Sequence, residues 1–289
     1  MLSKEVIKKI RHIEITTKRL LSGSYVGDYS SAKKGTGFEF DQIRDYQMGD
    51  DVRFIDWKAS ARSNKLLVKQ YIEERNRAVI LVVDFSASIF YTSSQKLKFD
   101  VLSEIAAVLA LVADYGKDLA SLLLFTDKVE VFIPPARGRK HIHKIMEQLF
   151  SFKPKGKKTD INCALDRLAK LRRKDSIVFL LSDFVDSLSE KKLYVVSKMY
   201  DLVAIRCLDK NERRLPNVGF INIEDIESGE HVLLDTRGRG SKKINKFLFD
   251  RLHGQEYMFK RFGVDYVDVY PSESFISDII LFFRRRMMY

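Results

Sequence analysis

Two uninterrupted apolar runs, each ending in an aspartate, constrain the fold of this chain more than any other feature. The first run is AVILVVD at residues 78–84, and the second is SIVFLLSD at residues 176–183. Strands that are apolar on both faces are typical of the interior of a parallel sheet, where helices cover both sides. The sequence therefore predicts buried parallel strands with acids at their carboxyl ends.

Strand-like and helix-like patterns alternate along the chain after residue 77. Further strands are predicted at residues 121–127, 129–133, 201–207 and 264–269, and helices at 95–114, 139–150, 160–171, 188–199, 241–262 and 273–286. The tight turn between the first two of these strands indicates one antiparallel edge strand. The pattern predicts an α/β fold, a doubly wound and mostly parallel sheet with helices on both faces. Ligands of such sheets bind beyond the carboxyl ends of the strands, at a topological switch point.

The N-terminal part of the chain lacks this alternation. It is irregular and punctuated by glycines, apart from a predicted first helix at residues 4–21. Within the later part of the chain, a turn-rich stretch is predicted to follow the strand at residues 201–207, up to about Thr236. We therefore expect an N-terminal accessory segment over residues 1–76 and an α/β domain over residues 77–289.

Composition bounds the compartment and the partner. The chain has two cysteines, Cys163 and Cys207, without a CxxC pair, so we expect reduced thiols and a cytoplasmic protein. No signal peptide and no apolar run long enough for a membrane helix is predicted. The net charge of +12 suits nucleic acid, an anionic membrane or an acidic protein, but the basic residues form no stripe interleaved with aromatics.

Polar side chains alternate with apolar ones directly after the first buried strand. The loop reads DFSAS, with Asp84, Ser86 and Ser88 on alternate positions, so their oxygens can converge on one point. A second loop offers Thr159 and Asp160 before a predicted helix, and Asp183 follows the second buried strand, so all the candidates are hard oxygen donors. Such a set suits Mg²⁺ or Mn²⁺. In the alternative interpretation, both aspartates bond loop amides or cap helices, and the serines form turns.

This order of loops resembles the metal-ion-dependent adhesion site of von Willebrand factor A domains. The family pattern is an Asp-x-Ser-x-Ser loop, a distant Thr and an Asp that closes a later strand, which here are Asp84, Ser86, Ser88, Thr159 and Asp183. The resemblance implies that the domain leaves the metal under-coordinated and that a Glu or Asp of a partner protein fills the vacant position.

The N-terminal segment carries motifs of its own: GTGFEF, RDYQMGDDVR and IDWKASAR between residues 35 and 62. Together with LPNVGF, EDIESGE, LDT and FFRRR near the C-terminus, these motifs resemble the family of domain of unknown function 58 (DUF58). The resemblance spans nearly the whole chain. It implies a partnership with a MoxR-type AAA+ ATPase in the assembly or activation of other proteins.

Charges alternate in sign around the single tryptophan of this segment. We expect Arg44, Arg53 and Arg62 to pair with Asp50, Asp51 and Asp56, and Trp57 to be buried, because tryptophan is highly buried on average. The alternative is that this segment forms an exposed docking surface for the ATPase.

The chain lacks the motifs that would indicate catalysis. It has no GxxxxGK[ST] loop, no GxGxxG between a strand and a helix, no HExxH and no GxSxG elbow. We therefore expect a non-enzymatic protein-interaction module without a small-molecule substrate. The alternatives are a basic nucleic-acid-binding protein and a Mg²⁺-dependent phosphoester hydrolase.

Overall fold

The computed structural model describes the chain in two compact units. The described residues are 10–14, 39–72, 77–156, 158–173, 175–224, 231–237, 239–273 and 275–287. One unit is Leu20–Asn76, and the other contains Arg77–Tyr289 together with Met1–Arg19. Residues 10–14 are helical, and the rest of the helix predicted at residues 4–21 lies outside the described residues. Ile10 and Ile13, which the sequence assigned to the accessory segment, pack in the core of the larger unit.

The helices and strands follow each other in an order close to the predicted one. The strands are β1 (Glu39–Asp45), β2 (Leu67–Ile72), β3 (Ala78–Asp84), β4 (Leu119–Phe125), β5 (Val129–Ala136), β6 (Ser176–Ser182), β7 (Asp201–Cys207), β8 (Phe220–Glu224), β9 (His231–Asp235) and β10 (Asp265–Val269). The helices are α1 (Trp57–Ser63), α2 (Lys98–Tyr115), α3 (Arg139–Ser151), α4 (Ile161–Leu171), α5 (Glu190–Met199), α6 (Lys210–Arg213), α7 (Arg239–Phe262) and α8 (Phe275–Met287), and 3-10 turns span Val52–Phe54 and Ala87–Phe90.

The central sheet of the larger unit has the strand order β10-β7-β6-β3-β4-β5. All neighbouring strands are parallel except β5, which pairs antiparallel with β4 at the edge of the sheet. Every residue of β3 and β6 is buried, because helices cover both faces of the sheet. The predicted doubly wound α/β class and the predicted antiparallel edge are therefore confirmed.

Alternate residues of each central strand enter different hydrophobic cores. Leu81 of β3 lies in a core with residues of α2, α3 and α8, whereas its neighbour Ile80 lies in a second core with residues of α4, α5 and α7. This alternation follows from the two-residue period of a strand. The central strands therefore pack against apolar side chains on both faces.

The turn-rich stretch before α7 contains regular structure that the sequence did not reveal. It holds the short helix α6 and an antiparallel hairpin of β8 and β9. Phe220 of β8 and Leu233 of β9 are exposed to 74% and 71%. Because the hairpin has no consistently buried face, its sequence lacks the alternation that marks a half-buried strand.

The described part of the smaller unit contains the antiparallel β1–β2 pair, a 3-10 turn and α1. Arg44 donates two hydrogen bonds of 2.7 Å to Asp50, and Arg53 pairs with Asp51 at 2.6 Å, as predicted. Asp56 caps α1 by accepting from the backbone nitrogens of residues 58 and 59, and Lys69 lies 3.4 Å from it. The predicted pairing of Arg62 with these acids is not found.

The prediction that Trp57 is buried is wrong, because 67% of the residue is exposed. Asp56 makes Trp57 the first residue of α1, and this seven-residue helix buries only Ser60. A helix of two turns offers a single narrow buried stripe, and Trp57 lies outside it.

Among the described residues, no helix combines the length and the apolar character that crossing a membrane requires.

The exposure of Trp57 leads to a stability prediction. Trp57→Ala should change the free energy of unfolding by less than about 1 kcal/mol, as is usual for surface substitutions. Val68→Ala in the same unit, where Val68 is 5% exposed, should cost about 1–3 kcal/mol because it removes buried apolar surface. Urea unfolding followed by circular dichroism measures both. A larger loss from Trp57→Ala than from Val68→Ala would contradict the exposed position.

Candidate metal centre at the switch point of the sheet

The two aspartates that follow the buried apolar runs lie at the carboxyl ends of neighbouring strands. β3 and β6 are parallel, with Val83 opposite Leu181. From β3 the chain proceeds outward to β4 and β5, and it then returns to β6 and proceeds the other way to β7 and β10. The position between β3 and β6 is thus the topological switch point, where such folds bind ligands.

Asp84 is fully buried, and its two carboxylate oxygens have different partners. The backbone nitrogen of Ser86 donates to Oδ1 at 2.8 Å, and Ser182 Oγ donates to Oδ2 at 2.7 Å. The loop-amide bond of the alternative interpretation is therefore present. It is compatible with a cation, because a carboxylate offers about four lone-pair sites. Because Asp84 is buried, a ligand would have to approach it past the residues that surround it.

The two serines converge as their alternation predicts. Ser86 Oγ and Ser88 Oγ are 3.1 Å apart. Ser86 is fully buried and Ser88 is half-buried, and Ser86 precedes the 3-10 turn Ala87–Phe90 without using its side chain as a cap. Both hydroxyls thus lie in the turn that begins at Asp84.

The loop that carries Thr159 reaches the same end of the sheet. Thr159 is half-buried, and the backbone nitrogen of Asp160 donates to Thr126 O at 3.0 Å, just beyond β4. Burial, with the negative charges of Asp160 and Asp84 among its further causes, raises the pKa of Cys163 to about 12. Both acids therefore lie within electrostatic range of one thiol. The Asp160 carboxylate itself caps α4 by accepting from the backbone nitrogen of residue 162 at 2.9 Å.

Asp183 contacts a buried cation that the sequence did not reveal. Lys98, the first residue of α2, is fully buried and donates from Nζ to Asp183 Oδ2 at 3.1 Å and to a carboxylate oxygen of Glu212. Glu212 also accepts from the backbone nitrogen of Asp209 at 3.0 Å and completes the capping box of α6. The surrounding sequence KLKFD looks like an ordinary solvated helix start, so no local signal marks Lys98 as buried.

The electrostatics of the centre reflect two acids brought together away from water. Burial, followed by the negative charge of Asp183, raises the pKa of Asp84 to about 7, although bonds from Ser182 and Ser86 oppose this shift. Burial acts to lower the pKa of Lys98, but the charges of Asp183 and Glu212 outweigh it, so the pKa is raised. Lys98 therefore stays charged and balances one carboxylate, whereas Asp84 has no cationic partner in the hydrogen bonds described.

The donor set fits a hard divalent cation. Asp84, Asp183 and the two serine hydroxyls are all oxygen donors, which Mg²⁺ and Mn²⁺ prefer. A cation would also offset the burial and the repulsion from Asp183 that together raise the pKa of Asp84. No cluster of three or more His, Cys, Asp or Glu side chains suited to a metal occurs in the part of the chain that the structure describes. A site here would thus depend on hydroxyls as well as carboxylates.

The topology of the sheet gives the larger unit a von Willebrand factor A-like fold. The sheet is mostly parallel with one antiparallel edge strand, and the Asp-x-Ser-x-Ser turn lies at its switch point. The chain belongs to the family described as "Protein of unknown function DUF58", which matches residues 42–246. The resemblance to DUF58 and the α/β fold implied by the resemblance to von Willebrand factor A domains are therefore confirmed, whereas the adhesion site stays a prediction.

Relatives of the chain occur in several bacteria. The uncharacterized protein Rv1480 of Mycobacterium tuberculosis is 30% identical over 223 residues, which are 76% of this chain and 70% of that protein. The uncharacterized protein YeaD of Bacillus subtilis is 30% identical over 110 residues, 37% of this chain and 25% of that protein.

Solved structures with a similar fold include the SpRpn10 VWA domain, with 13% identity, a TM-score of 0.38, and coverage of 71% of this chain and 93% of that chain. The hypothetical protein BatB from Bacteroides thetaiotaomicron has 13% identity, a TM-score of 0.49, and coverage of 73% and 99%.

The raised pKa of Asp84 leads to a prediction for the protein in EDTA. The pKa of Asp84 is about 7 in the folded chain against an ordinary value of 3.8. The folded state therefore holds this proton more tightly, and stability falls as the pH rises between these two values. Asp84→Asn cannot ionise, so its melting temperature relative to wild type should rise with pH and level off above about 7.

Thermal melts at several pH values test this expectation. Asp166→Asn is the matched control, because it removes the same charge from a side chain that is 51% exposed. Its melting temperature relative to wild type should vary little over the same pH range. A wild type that gains stability over Asp84→Asn with rising pH would contradict the prediction.

Proposed function

We propose that this protein is a non-enzymatic protein-binding module that works through a Mg²⁺- or Mn²⁺-dependent adhesion site. The observation that carries the proposal is the pair of buried carboxylates, Asp84 and Asp183, beside the converging hydroxyls of Ser86 and Ser88 at the switch point. Two acids buried this closely are costly without positive charge, and Lys98 bonds only one of them.

Five side chains of this chain would hold the cation: Asp84, Ser86, Ser88, Thr159 and Asp183. When bound, the cation supplies a directional bond to a carboxylate from outside the domain. The hydroxyls bring donors without adding negative charge, so the centre stays attractive to a further carboxylate. A glutamate or aspartate of a partner protein would therefore complete the coordination.

The surface beside the proposed centre supports a protein partner. Phe90 and Tyr91, which follow Ser88 in the chain, are 40% and 51% exposed. Val185, two residues after Asp183, is 39% exposed. Aromatic residues are enriched in protein interfaces, and surrounding contacts that exclude water strengthen a central polar bond. These exposed side chains, near in sequence to the proposed ligands, are candidate contacts for a partner protein.

The partner that we propose is a MoxR-type AAA+ ATPase, and the proposed role is the assembly or activation of other proteins. This assignment rests on membership of the DUF58 family and on the exposed apolar residues of the smaller unit, including Trp57. The exposure of Trp57 favours the docking alternative for that unit over a purely structural role. A cytoplasmic location belongs to the same proposal, since both cysteines are free thiols.

The first test is direct binding of Mn²⁺, measured by titration calorimetry and by the electron paramagnetic resonance signal of free Mn²⁺. Wild type should bind one ion, and Asp84→Asn should abolish binding because it removes a charged donor. Asp166→Asn should bind as wild type does, since it removes the same charge outside the donor set. Equal binding by all three proteins would refute the adhesion site.

The second test is capture of partners from native lysate with tagged wild type and Asp84→Asn, each in Mg²⁺ or in EDTA. The proposal expects an AAA+ ATPase only with wild type in Mg²⁺. Capture of the same proteins in all four samples would contradict docking through the metal. Capture of nucleic acid that declines steeply with salt in every sample would favour the basic nucleic-acid-binding alternative.

A further inference from the structure

The residue after Asp183 has an unusual backbone conformation. Phe184 has a φ of 53°, in the left-handed region that bulky L-residues rarely adopt. Such a conformation persists only where the surroundings determine it, and it often occurs at functional sites. In this chain it occurs between Asp183 and the exposed Val185.

Helix α7 contacts Phe184 through two residues on one of its faces. Gln255 donates from Nε2 to the carbonyl oxygen of Phe184 at 2.6 Å. The ring of Phe259, one helical turn later, packs edge-on against the ring of Phe184, with their centroids 5.5 Å apart. Both Phe184 and Phe259 are fully buried, and Gln255 is 5% exposed. Helix α7 thus contacts both the carbonyl group and the side chain of Phe184.

Phe184 is also linked to Asp84 through Ser182. The backbone nitrogen of Phe184 donates to Ser182 Oγ at 3.0 Å, and Ser182 Oγ donates to Asp84 Oδ2 at 2.7 Å. A change in the conformation of Phe184 would therefore displace Asp183 and also weaken the bond that positions Asp84.

A buried arginine determines which way the amide of Gln255 points. Arg206 of β7 donates from Nη1 to Gln255 Oε1 at 2.9 Å. Arg206 is itself held by two bonds to Asp268 of β10, at 2.8 and 2.9 Å. Because the guanidinium can only donate, Gln255 must present its oxygen to Arg206 and its NH₂ group to Phe184.

We propose that Gln255 is a positioning residue for the metal centre: its amide keeps Phe184 in the left-handed conformation and so directs the carboxylates of Asp183 and Asp84 towards the cation. This inference rests on the proposed function. It assigns to α7, which supplies none of the proposed metal ligands, control over the affinity of the site.

Two substitutions at Gln255 and one control test the inference. Gln255→Glu keeps the length of the side chain and an acceptor for Arg206, but an ionised carboxylate cannot donate to the Phe184 carbonyl. Gln255→Leu removes both bonds and stays apolar. Leu252→Ala is the control, because Leu252 is buried one turn earlier on the same helix and its side chain takes no part in these hydrogen bonds. Leu252→Ala should lower the melting temperature, so its Mn²⁺ binding and hydrogen exchange show what destabilisation of α7 does by itself.

The readouts are the Mn²⁺ dissociation constant and, in EDTA, hydrogen exchange of residues 183–186. Both Gln255 variants should bind Mn²⁺ at least about tenfold more weakly, as is typical when a residue supporting a metal ligand is changed. They should also exchange faster over residues 183–186. Leu252→Ala should keep a dissociation constant within about twofold of wild type, because the residues supporting the ligands are unchanged.

The outcomes separate this inference from the proposed function. If wild type binds Mn²⁺ and the Gln255 variants bind it as Leu252→Ala does, the positioning role is refuted and the adhesion site stands. If wild type binds no Mn²⁺, both are refuted. Faster exchange over residues 183–186 in Leu252→Ala, equal to that in the Gln255 variants, would also count against a specific role of the amide.

Discussion

The parallel pairing of β3 with β6 is the constraint on which the rest of this domain depends. It places Asp84 and Asp183 at the ends of adjacent strands, in a region where burial removes the water that would otherwise screen them. Charges buried together without compensation cost several kcal/mol each, so the fold must supply partners. The hydroxyl of Ser182, the amides of the two loops and the ammonium of Lys98 are those partners within the chain. The described hydrogen bonds to Asp84 come from neutral donors, which is the physical basis of the proposed cation site.

Two fully buried cations, Lys98 and Arg206, bond acidic side chains from different elements of the domain. Lys98 connects Asp183 to Glu212 and hence to the capping box of α6, and Arg206 connects Asp268 and Glu256 to Gln255. In both cases one cation bonds acids from more than one element. Loss of Lys98 would leave the buried carboxylate of Asp183 without this bond in a region of low dielectric constant, whereas the acids bonded to Arg206 are partly exposed. These networks make the positions of the loops at the switch point dependent on α6 and α7.

Apolar surface is exposed in both units. In the larger unit it occurs beside the proposed metal centre, at Tyr91 and Val185, and on the β8–β9 hairpin. In the smaller unit it includes Met48, Val52 and Trp57. Exposed apolar groups next to a polar site are common where one protein binds another. The proposed partnership therefore has candidate contacts beyond the metal bond itself, and the smaller unit can contribute contacts of its own.

The sequence by itself determined the α/β class, the antiparallel edge strand and the order of the central strands and helices. It could do so because long apolar runs and helical periodicity are local signals, and most bounds differ from the prediction by a few residues. It also placed Asp84, Ser86, Ser88 and Asp183 at strand ends, because alternation along the chain and the end of an apolar run can both be seen in the letters.

Only the tertiary structure decided which charges are buried and what they bond. Lys98 and Gln255 come from helices distant in sequence, and their burial follows from packing against loops that no local pattern identifies. Trp57 is exposed, against the average preference of tryptophan, because α1 is short and buries only one narrow stripe, which does not include Trp57. Local patterns specify where a strand ends, but contacts between distant segments decide which side chains meet there, and the energetics of the proposed site depend on those contacts.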